Sequence, residues 1–403
     1  MNRAARIALP AVIWLLPVGA VLTPTSLVPL AVAGALALLS DPGLRARFAE
    51  MLRSPLARAI AGLLIWAAIS CLWAPHPWGS LLLVLQVAGV MAVGGVLAAA
   101  ASGLDDITRK RAIVAIAVAG PMLLLLAASE LVDRGILAHA IRGWPDVFEY
   151  NPVRYDRCAA IAAIIAWPGV LVMTRRVRLS AAVIFAVLVL VLLFLLEMAA
   201  ARLAFVIGGF VYLASLWKPR GVLNALTVGM VAAILLGPPV LVAAGAVQDL
   251  PAVADELPKT ASSERHRILI AQFVLAHIVE RPLFGYGFDS SRAIPGGKIE
   301  KFANAPALPL HPHNAILQIW LELGAVGAVV TAAVVTLIMC GLRVFSADRG
   351  GAAVANATFA AFATIALLSY GIWQNWWLMT GWLAAMLVLV AIQVRKPDDQ
   401  FEL

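Results

Sequence analysis

The sequence predicts an all-α, polytopic integral membrane protein of about twelve transmembrane helices with one large late loop. Three observations predict it. The chain of 403 residues is 63% hydrophobic and only 13% charged, a composition foreign to soluble globular domains. Apolar runs of about twenty residues recur from end to end, where a β-barrel would show short alternating segments. Lysines and arginines alternate between successive loops, as the positive-inside rule requires. The net charge of +8 would suggest nucleic acid in a soluble protein, but topology accounts for it here, so no nucleic-acid partner is expected.

The spans read as roughly 7–23, 27–40, 59–73, 80–101, 112–132, 156–173, 180–198, 202–217, 222–245, 315–342, 352–371 and 376–394. The second is short, with Pro24 and Pro29 close by. Met1 to Ala20 has the basic start and apolar run of a signal peptide, but many spans follow it, so it reads as an uncleaved first helix. With the N-terminus cytoplasmic, Arg3, Arg45, Arg109, Arg175, Lys218, Arg343 and Arg395 all fall inside. The short outside loops near Pro75-His76-Pro77 and Gln374-Asn375 carry no lysine or arginine. Both termini are then cytoplasmic, which fits an even number of spans. Residues 1–246 hold nine spans with a smaller outside segment at 133–157, 247–314 form the large outside loop, and 315–403 hold the last three spans and the C-terminus. Cys71, Cys158 and Cys340 lie in or beside apolar spans without close spacing, which supports neither a disulfide framework nor a metal site.

Two outside segments break the charge rule. Residues 133–157 carry Arg134, Arg142, Arg154 and Arg157 among aromatic residues. The loop from about Val247 to Pro312 carries Arg265, Arg267, Arg281, Arg292 and lysines. Cations on the disfavoured side point to an anionic partner, although long loops also translocate regardless of charge. Arg202 adds a cation at an outside helix end. Within the large loop, Ser262 or Ser263 can cap a helix that runs to about Val279 and stops before Pro282. Leu283-Phe284-Gly285-Tyr286-Gly287-Phe288 then reads as a glycine-hinged turn, and Ile294 to Pro309 as a mobile loop.

The densest polar signal is Leu310-His311-Pro312-His313-Asn314, where this loop meets an apolar helix. Asn314 is a candidate N-cap, and a helix N-terminus attracts anions. Asn314, Gln318 and Glu322 are spaced four apart and share one face. Polar groups at that depth are costly and ask for a function. His313 is the candidate base, since imidazole accepts a proton near neutral pH, although an interfacial histidine can also serve without chemistry. His311 raises an H-x-H metal site, but no aspartate or cysteine stands close in sequence to complete it, so no metal is expected. Arg265 and Arg202 can clamp a pyrophosphate, because guanidinium pairs bidentately with phosphate, or can meet lipid headgroups. There is no P-loop, nucleotide fingerprint, G-x-S-x-G or C-x-x-C, so energy must come from a pre-activated substrate or an ion gradient.

The run His311-Pro312-His313-Asn314, then Leu317, Glu322, Gly324 and Gly327, resembles the signature of the O-antigen ligase and polymerase superfamily. Arg265 followed by Arg281-Pro282-Leu283-Phe284-Gly285-Tyr286-Gly287 resembles that family's arginine and its P-x-x-G-x-G segment. Ala201-Arg202-Leu203 resembles its S-R-[GT] element, with alanine before the arginine and leucine after it. These motifs cover roughly residues 200–330. The resemblance implies a metal-independent, cofactor-free GT-C glycosyltransferase of the bacterial inner membrane, with a periplasmic active site and an undecaprenyl pyrophosphate-linked glycan as donor. It implies His313 as the base and Arg265 and Arg202 as pyrophosphate ligands; His311, Asn314, Gln318 and Glu322, by their place at the helix mouth, and Arg154 and Arg157, by side and charge alone, are the candidate supporting residues. The ligase reading, with lipid A–core as acceptor and a monomer surrounded by membrane lipids, is favoured by the span count, the single dominant late loop and the absence of an appended soluble domain. The polymerase, the protein O-oligosaccharyltransferase and a transporter lined by Glu322 and Gln318 are the alternatives.

Overall fold

The computed structural model describes residues 1–133, 135, 137, 140–141, 155–258, 262–302 and 305–394. Arg142 and Arg154, most of the segment 133–157, and the last nine residues therefore lie outside the described residues.

Among the described residues the chain is a bundle of helices. In order they are α1 (Arg3–Leu22), α2 (Leu27–Leu38), α3 (Pro42–Leu52), α4 (Pro55–Ser70), α5 (Pro77–Ala101), α6 (Asp106–Val132), α7 (Asp156–Arg176) and α8 (Leu179–Leu195). There follow α9 (Ala199–Trp217), α10 (Pro219–Ala243), α11 (Ala246–Glu256), α12 (Ser262–Glu280), α13 (Ala315–Leu342), α14 (Arg349–Leu368) and α15 (Asn375–Ala391). Nine of the described helices are long and apolar enough to cross a membrane, and the protein is an integral membrane protein. The other three predicted spans take different forms. Two are the 17-residue helices α8 and α15. The third, predicted at 27–40, is a pair, α2 and α3, bent by 114°. The bend has a local cause: Pro42 starts α3, and Asp41 caps it by accepting from the Leu44 N–H at 2.9 Å.

Capping residues start the other helices in the same way. Asn2 accepts from the Ala5 N–H, Ser54 from Ala57, and Asp105 from Thr108. One end of the bundle is tied by charge. The N-terminal amine and Arg6 both reach Asp105, and Arg175 pairs with Asp348 while donating to the Val394 carbonyl at 2.8 Å. Small residues let the helices approach closely. Ala200, Ala201, Ala204 and Gly208 of α9 are buried where it packs on α14, whose buried face includes Ala353, Ala357 and Ala361. A Cβ at Gly208 would press into the Trp167 indole at 2.8 Å.

Two apolar cores result. One joins α1, α2 and α5 to α9 with α14 and α15, and the other joins α4, α10, α12 and α13. The loop predicted as irregular between Ile294 and Pro309 contains a short antiparallel ribbon, β1 (Glu300–Phe302) with β2 (Ala305–Pro306). The pattern signal could not show it, because two- and three-residue strands are too short for a period of two to register.

The feature that shapes the site is a break in α13. Gly324 has φ 64° and ψ −164°, a region open essentially to glycine alone. The break frees backbone groups that a membrane interior would leave unpaired. The segment 282–287 lies against it and pairs them: Tyr286 N–H donates to the Leu321 carbonyl and Gly287 N–H to the Glu322 carbonyl, both at 2.9 Å. In return, Ala325 N–H donates to the Pro282 carbonyl at 2.9 Å and Val326 N–H to the Leu283 carbonyl at 3.3 Å. Trp66 supplies a donor to the Leu323 carbonyl at 3.0 Å. The docking is backbone to backbone, which explains the glycines: a Cβ on Gly285 would stand 2.6 Å from the Glu322 carbonyl carbon.

Candidate active site

Asn314 caps α13 as expected, accepting from the Leu317 N–H at 3.0 Å. The cap turns the chain sharply, and His313 just before it takes a left-handed φ of 55°. A non-glycine residue holds that conformation only where its surroundings enforce it, and such positions cluster at functional sites.

The His313 ring is fixed by its partners. Its Nδ1 lies 2.6 Å from the Ser369 carbonyl at the end of α14. A carbonyl only accepts, so Nδ1 carries the proton and Nε2 keeps its lone pair. Burial first, and then the nearby charge of Arg267, pushes the His313 pKa below the usual histidine value. The ring is therefore neutral and able to take a proton at Nε2. His311 stands beside it, with ring centroids 4.3 Å apart, and its Nδ1 accepts from the His313 backbone N–H at 3.2 Å. Burial, followed by His313 and Arg292, lowers the His311 pKa to about 3.

Glu322 holds the walls of the site together. It is fully buried, and its two oxygens accept four hydrogen bonds. One takes Asp289 N–H at 3.0 Å and Trp373 Nε1–H at 2.7 Å, the other the Ser291 hydroxyl and Gln318 Nε2–H. Gln318 extends the tether, since its Oε1 accepts from the Ile372 N–H at 2.9 Å. The ridge predicted from spacing thus binds two separate loops, 289–292 and 371–373, to α13.

Between these loops and the start of α15 lies a cavity of about 560 Å³ lined by His311, Gln318, Arg157, Arg292, Trp373 and Trp376, among others. The Arg157 guanidinium sits over the Trp376 ring, 5.3 Å from its centroid. Arg292 is held by Asp289 at 2.9 Å. Burial raises the Asp289 pKa while Arg292 opposes the shift. The lining also carries the uncharged polar residues Thr25, Gln86, Gln374 and Asn375.

The predicted arginines fall in different places. Arg157 lines the cavity. Arg265 turns toward α11, where it donates to the Ala254 carbonyl at 2.9 Å and to Asp255 at 3.0 Å. Arg202 donates to the Glu197 carbonyl and lies over Phe194 at 5.2 Å. Neither Arg265 nor Arg202 is among the cavity-lining residues. Arg267, two positions along α12, is the arginine whose charge reaches His313 and Asp156. The reason is helical geometry: residues two apart on a helix project about 200° apart. Arg292, Ser369, Trp373 and Gln374 were not singled out in the sequence. The signal for the last two was present, an amide pair set among tryptophans in Trp373-Gln374-Asn375-Trp376-Trp377, between two apolar spans.

The chain is similar to known proteins over most of its length. Residues 184–332, which carry Arg202, Arg265 and the His311–Gly327 run, match a family model described as O-antigen ligase. A Rickettsia bellii protein, provisionally named a polysaccharide ligase, is 31% identical over 340 residues, covering 83% of this chain and 79% of its own. Relatives under the same provisional name in Rickettsia conorii and Rickettsia prowazekii are 29% and 28% identical, covering 83% of this chain and 78% and 79% of their own. The break at Gly324, the glycine segment docked on it and the two histidines at the helix mouth thus fall in a chain that belongs to the O-antigen ligase family.

Proposed function

We propose that this chain transfers an O-antigen glycan from undecaprenyl pyrophosphate to a sugar hydroxyl of lipid A–core at the periplasmic face of the bacterial inner membrane. The observation that carries the reading is the ring of His313. Its Nδ1–H is committed to the Ser369 carbonyl, which leaves Nε2 as a base; His313 is not itself among the cavity-lining residues, but His311, whose ring is 4.3 Å away, lines the arginine-bearing cavity.

In the reaction, His313 Nε2 takes the proton of the acceptor hydroxyl. The acceptor oxygen forms a bond to the anomeric carbon of the donor, and the bond from that carbon to the pyrophosphate oxygen breaks. Undecaprenyl pyrophosphate leaves with the electron pair, and arginines stabilise the charge that develops on it. Arg265 and Arg202 are assigned to that anion, with Arg157 and Arg292 in support. The Asp255 partner of Arg265 is 79% exposed, and such a surface pair contributes only about 0–1 kcal/mol against the exchange. The polar ridge Asn314, Gln318 and Glu322 positions the helix mouth. The protein acts as a monomer, without metal or nucleotide. Direct displacement by a single base predicts inversion at the anomeric carbon.

The test is transfer by purified protein, with a chelator and no nucleotide, from a lipid-pyrophosphate glycan. Two acceptors are offered in parallel: lipid A–core and a second donor molecule. Growth of lipid A–core by a whole glycan, lost in His313→Ala protein that still folds, is the expected result. Extension of the donor would make the protein a polymerase. Absence of product with both acceptors, in protein that binds the donor, would overturn the proposal in favour of protein glycosylation or transport.

A further inference from the structure

The side-chain amides in the cavity lining have their own chemistry. Asn375 Nδ2 donates to Gln86 Oε1 at 3.0 Å. That single bond leaves two groups over. Asn375 Oδ1 is buried with no hydrogen-bond partner among the described residues, and the Gln86 amide nitrogen retains its N–H donors. If both amides are reversed, the pair still presents one acceptor and one donor. A hydroxyl is the group that satisfies both at once, since it donates and accepts through one oxygen. Gln374 adds a third amide; its oxygen is committed to Trp376 Nε1 at 2.8 Å, so its N–H groups face the cavity and His311. Trp373 and Trp376 line the same space, with the Arg157 guanidinium over the Trp376 ring.

Gln86 lies about 13 Å along α5 from its first residue, at 1.5 Å per residue. It is exposed there, beside Leu82 and Leu85, which are 58% and 61% exposed. An exposed amide on an otherwise apolar membrane helix is costly and marks a path for a polar group. Thr25, in the turn before α2, and Val28 of α2 line the cavity as well.

We propose that Gln86, Asn375 and Gln374, with Trp373 alongside, form a subsite for an uncharged, hydroxyl-bearing sugar ring of the membrane-anchored acceptor. This rests on the transfer reading above and names where its acceptor binds. Side-chain amides bond sugar hydroxyls without demanding charge, and the C–H face of a pyranose lies against an indole. Arg157 and Arg292 line the same cavity, Arg157 over the Trp376 ring, and are left to the pyrophosphate, while the amides take the acceptor ring. The ring reaches the subsite beside the exposed Gln86 while its lipid stays in the bilayer.

The experiment uses the full chain in nanodiscs and measures equilibrium binding of two probe pairs. Lipid A–core against lipid A without core sugars isolates the acceptor sugar. Undecaprenyl pyrophosphate-linked glycan against undecaprenyl pyrophosphate isolates the donor sugar. Wild-type protein is expected to bind lipid A–core more tightly than lipid A. Gln86→Leu, which adds an apolar side chain on a lipid-exposed position, should reduce that preference about five- to tenfold, the weight of one to two neutral hydrogen bonds. Asn375→Ala should do the same, and both should leave the donor pair unchanged. The proposal is overturned if wild type shows no preference for the core sugars, if Gln86→Leu keeps it in full, or if the loss appears in the donor pair instead. Transfer failing with every acceptor while the core-dependent binding persists would sink the catalytic reading and leave the subsite standing.

Discussion

Replacing Gly324 with alanine should unfasten the active-site loop from α13. The backbone at Gly324 occupies a conformation that costs an L-residue roughly 1–3 kcal/mol. The new methyl would also overlap the carbonyl carbon and oxygen of Leu283, which are backbone atoms and cannot rotate away. Relief requires the segment 282–287 to lift, and four interlocking backbone hydrogen bonds go with it. At about 1 kcal/mol net for each, the combined loss is about 5 kcal/mol or more, comparable with the whole stability of many proteins. The matched control is Gly341→Ala on the same helix, where a Cβ meets nothing within 4 Å. That change should be neutral or stabilising by up to ~1 kcal/mol through helix propensity. Thermal unfolding of both variants in detergent, followed by tryptophan fluorescence, separates the two expectations. Transfer activity should fall with Gly324→Ala and persist with Gly341→Ala. Equal unfolding temperatures for the two variants would refute the argument that the break is held by backbone docking.

Further expectations follow from the same geometry. His311 and His313 both have pKa values below the unfolded value of 6.5, so the unfolded chain binds more protons as pH drops beneath it. Their neutral forms are accommodated fully above about pH 6.5, and stability falls as pH falls from there, by about 1.4 kcal/mol per pH unit for each ring while it resists protonation. Denaturant titration at pH 7, 6 and 5 should show this slope, and a flat profile would contradict the burial of both rings. The acid limb of the transfer rate should likewise lie below pH 6.5; a limb above it would remove His313 as the base. Glu322→Gln places an amide N–H₂ where two donors already point; the Ser291 hydroxyl can turn to accept, but at least one buried donor is orphaned, at about 1–3 kcal/mol. A Glu322→Gln protein as stable as wild type would mean that the carboxylate does not bind the two loops. Finally, Asp255→Asn should leave transfer within about twofold of wild type, since an exposed pair contributes little. A loss as deep as that of Arg265→Ala would show Arg265 to be a fastening for α11 rather than a substrate ligand.

What the sequence determined alone is what depends on local, short-range physics. Hydropathy over twenty residues reports burial in lipid, so each predicted span has an apolar helix as its counterpart, with the second continued through the Asp41-Pro42 bend into α3. Capping depends on residues three apart, so Asn314 was legible as the start of α13. The four-residue spacing of Gln318 and Glu322 was legible as a shared face, and the two are bonded at 3.1 Å. The tertiary structure decided what those groups face. Glu322 finds its donors 31 to 51 positions away in Asp289, Ser291 and Trp373, and no periodicity encodes such pairings. The Nδ1 proton of His313 is assigned by Ser369, 56 residues on. The glycines of the 282–287 segment read as a flexible turn because sequence shows only the missing side chain. In the folded protein their use is close approach: with no Cβ, two backbones meet and pair the groups that the broken membrane helix leaves over.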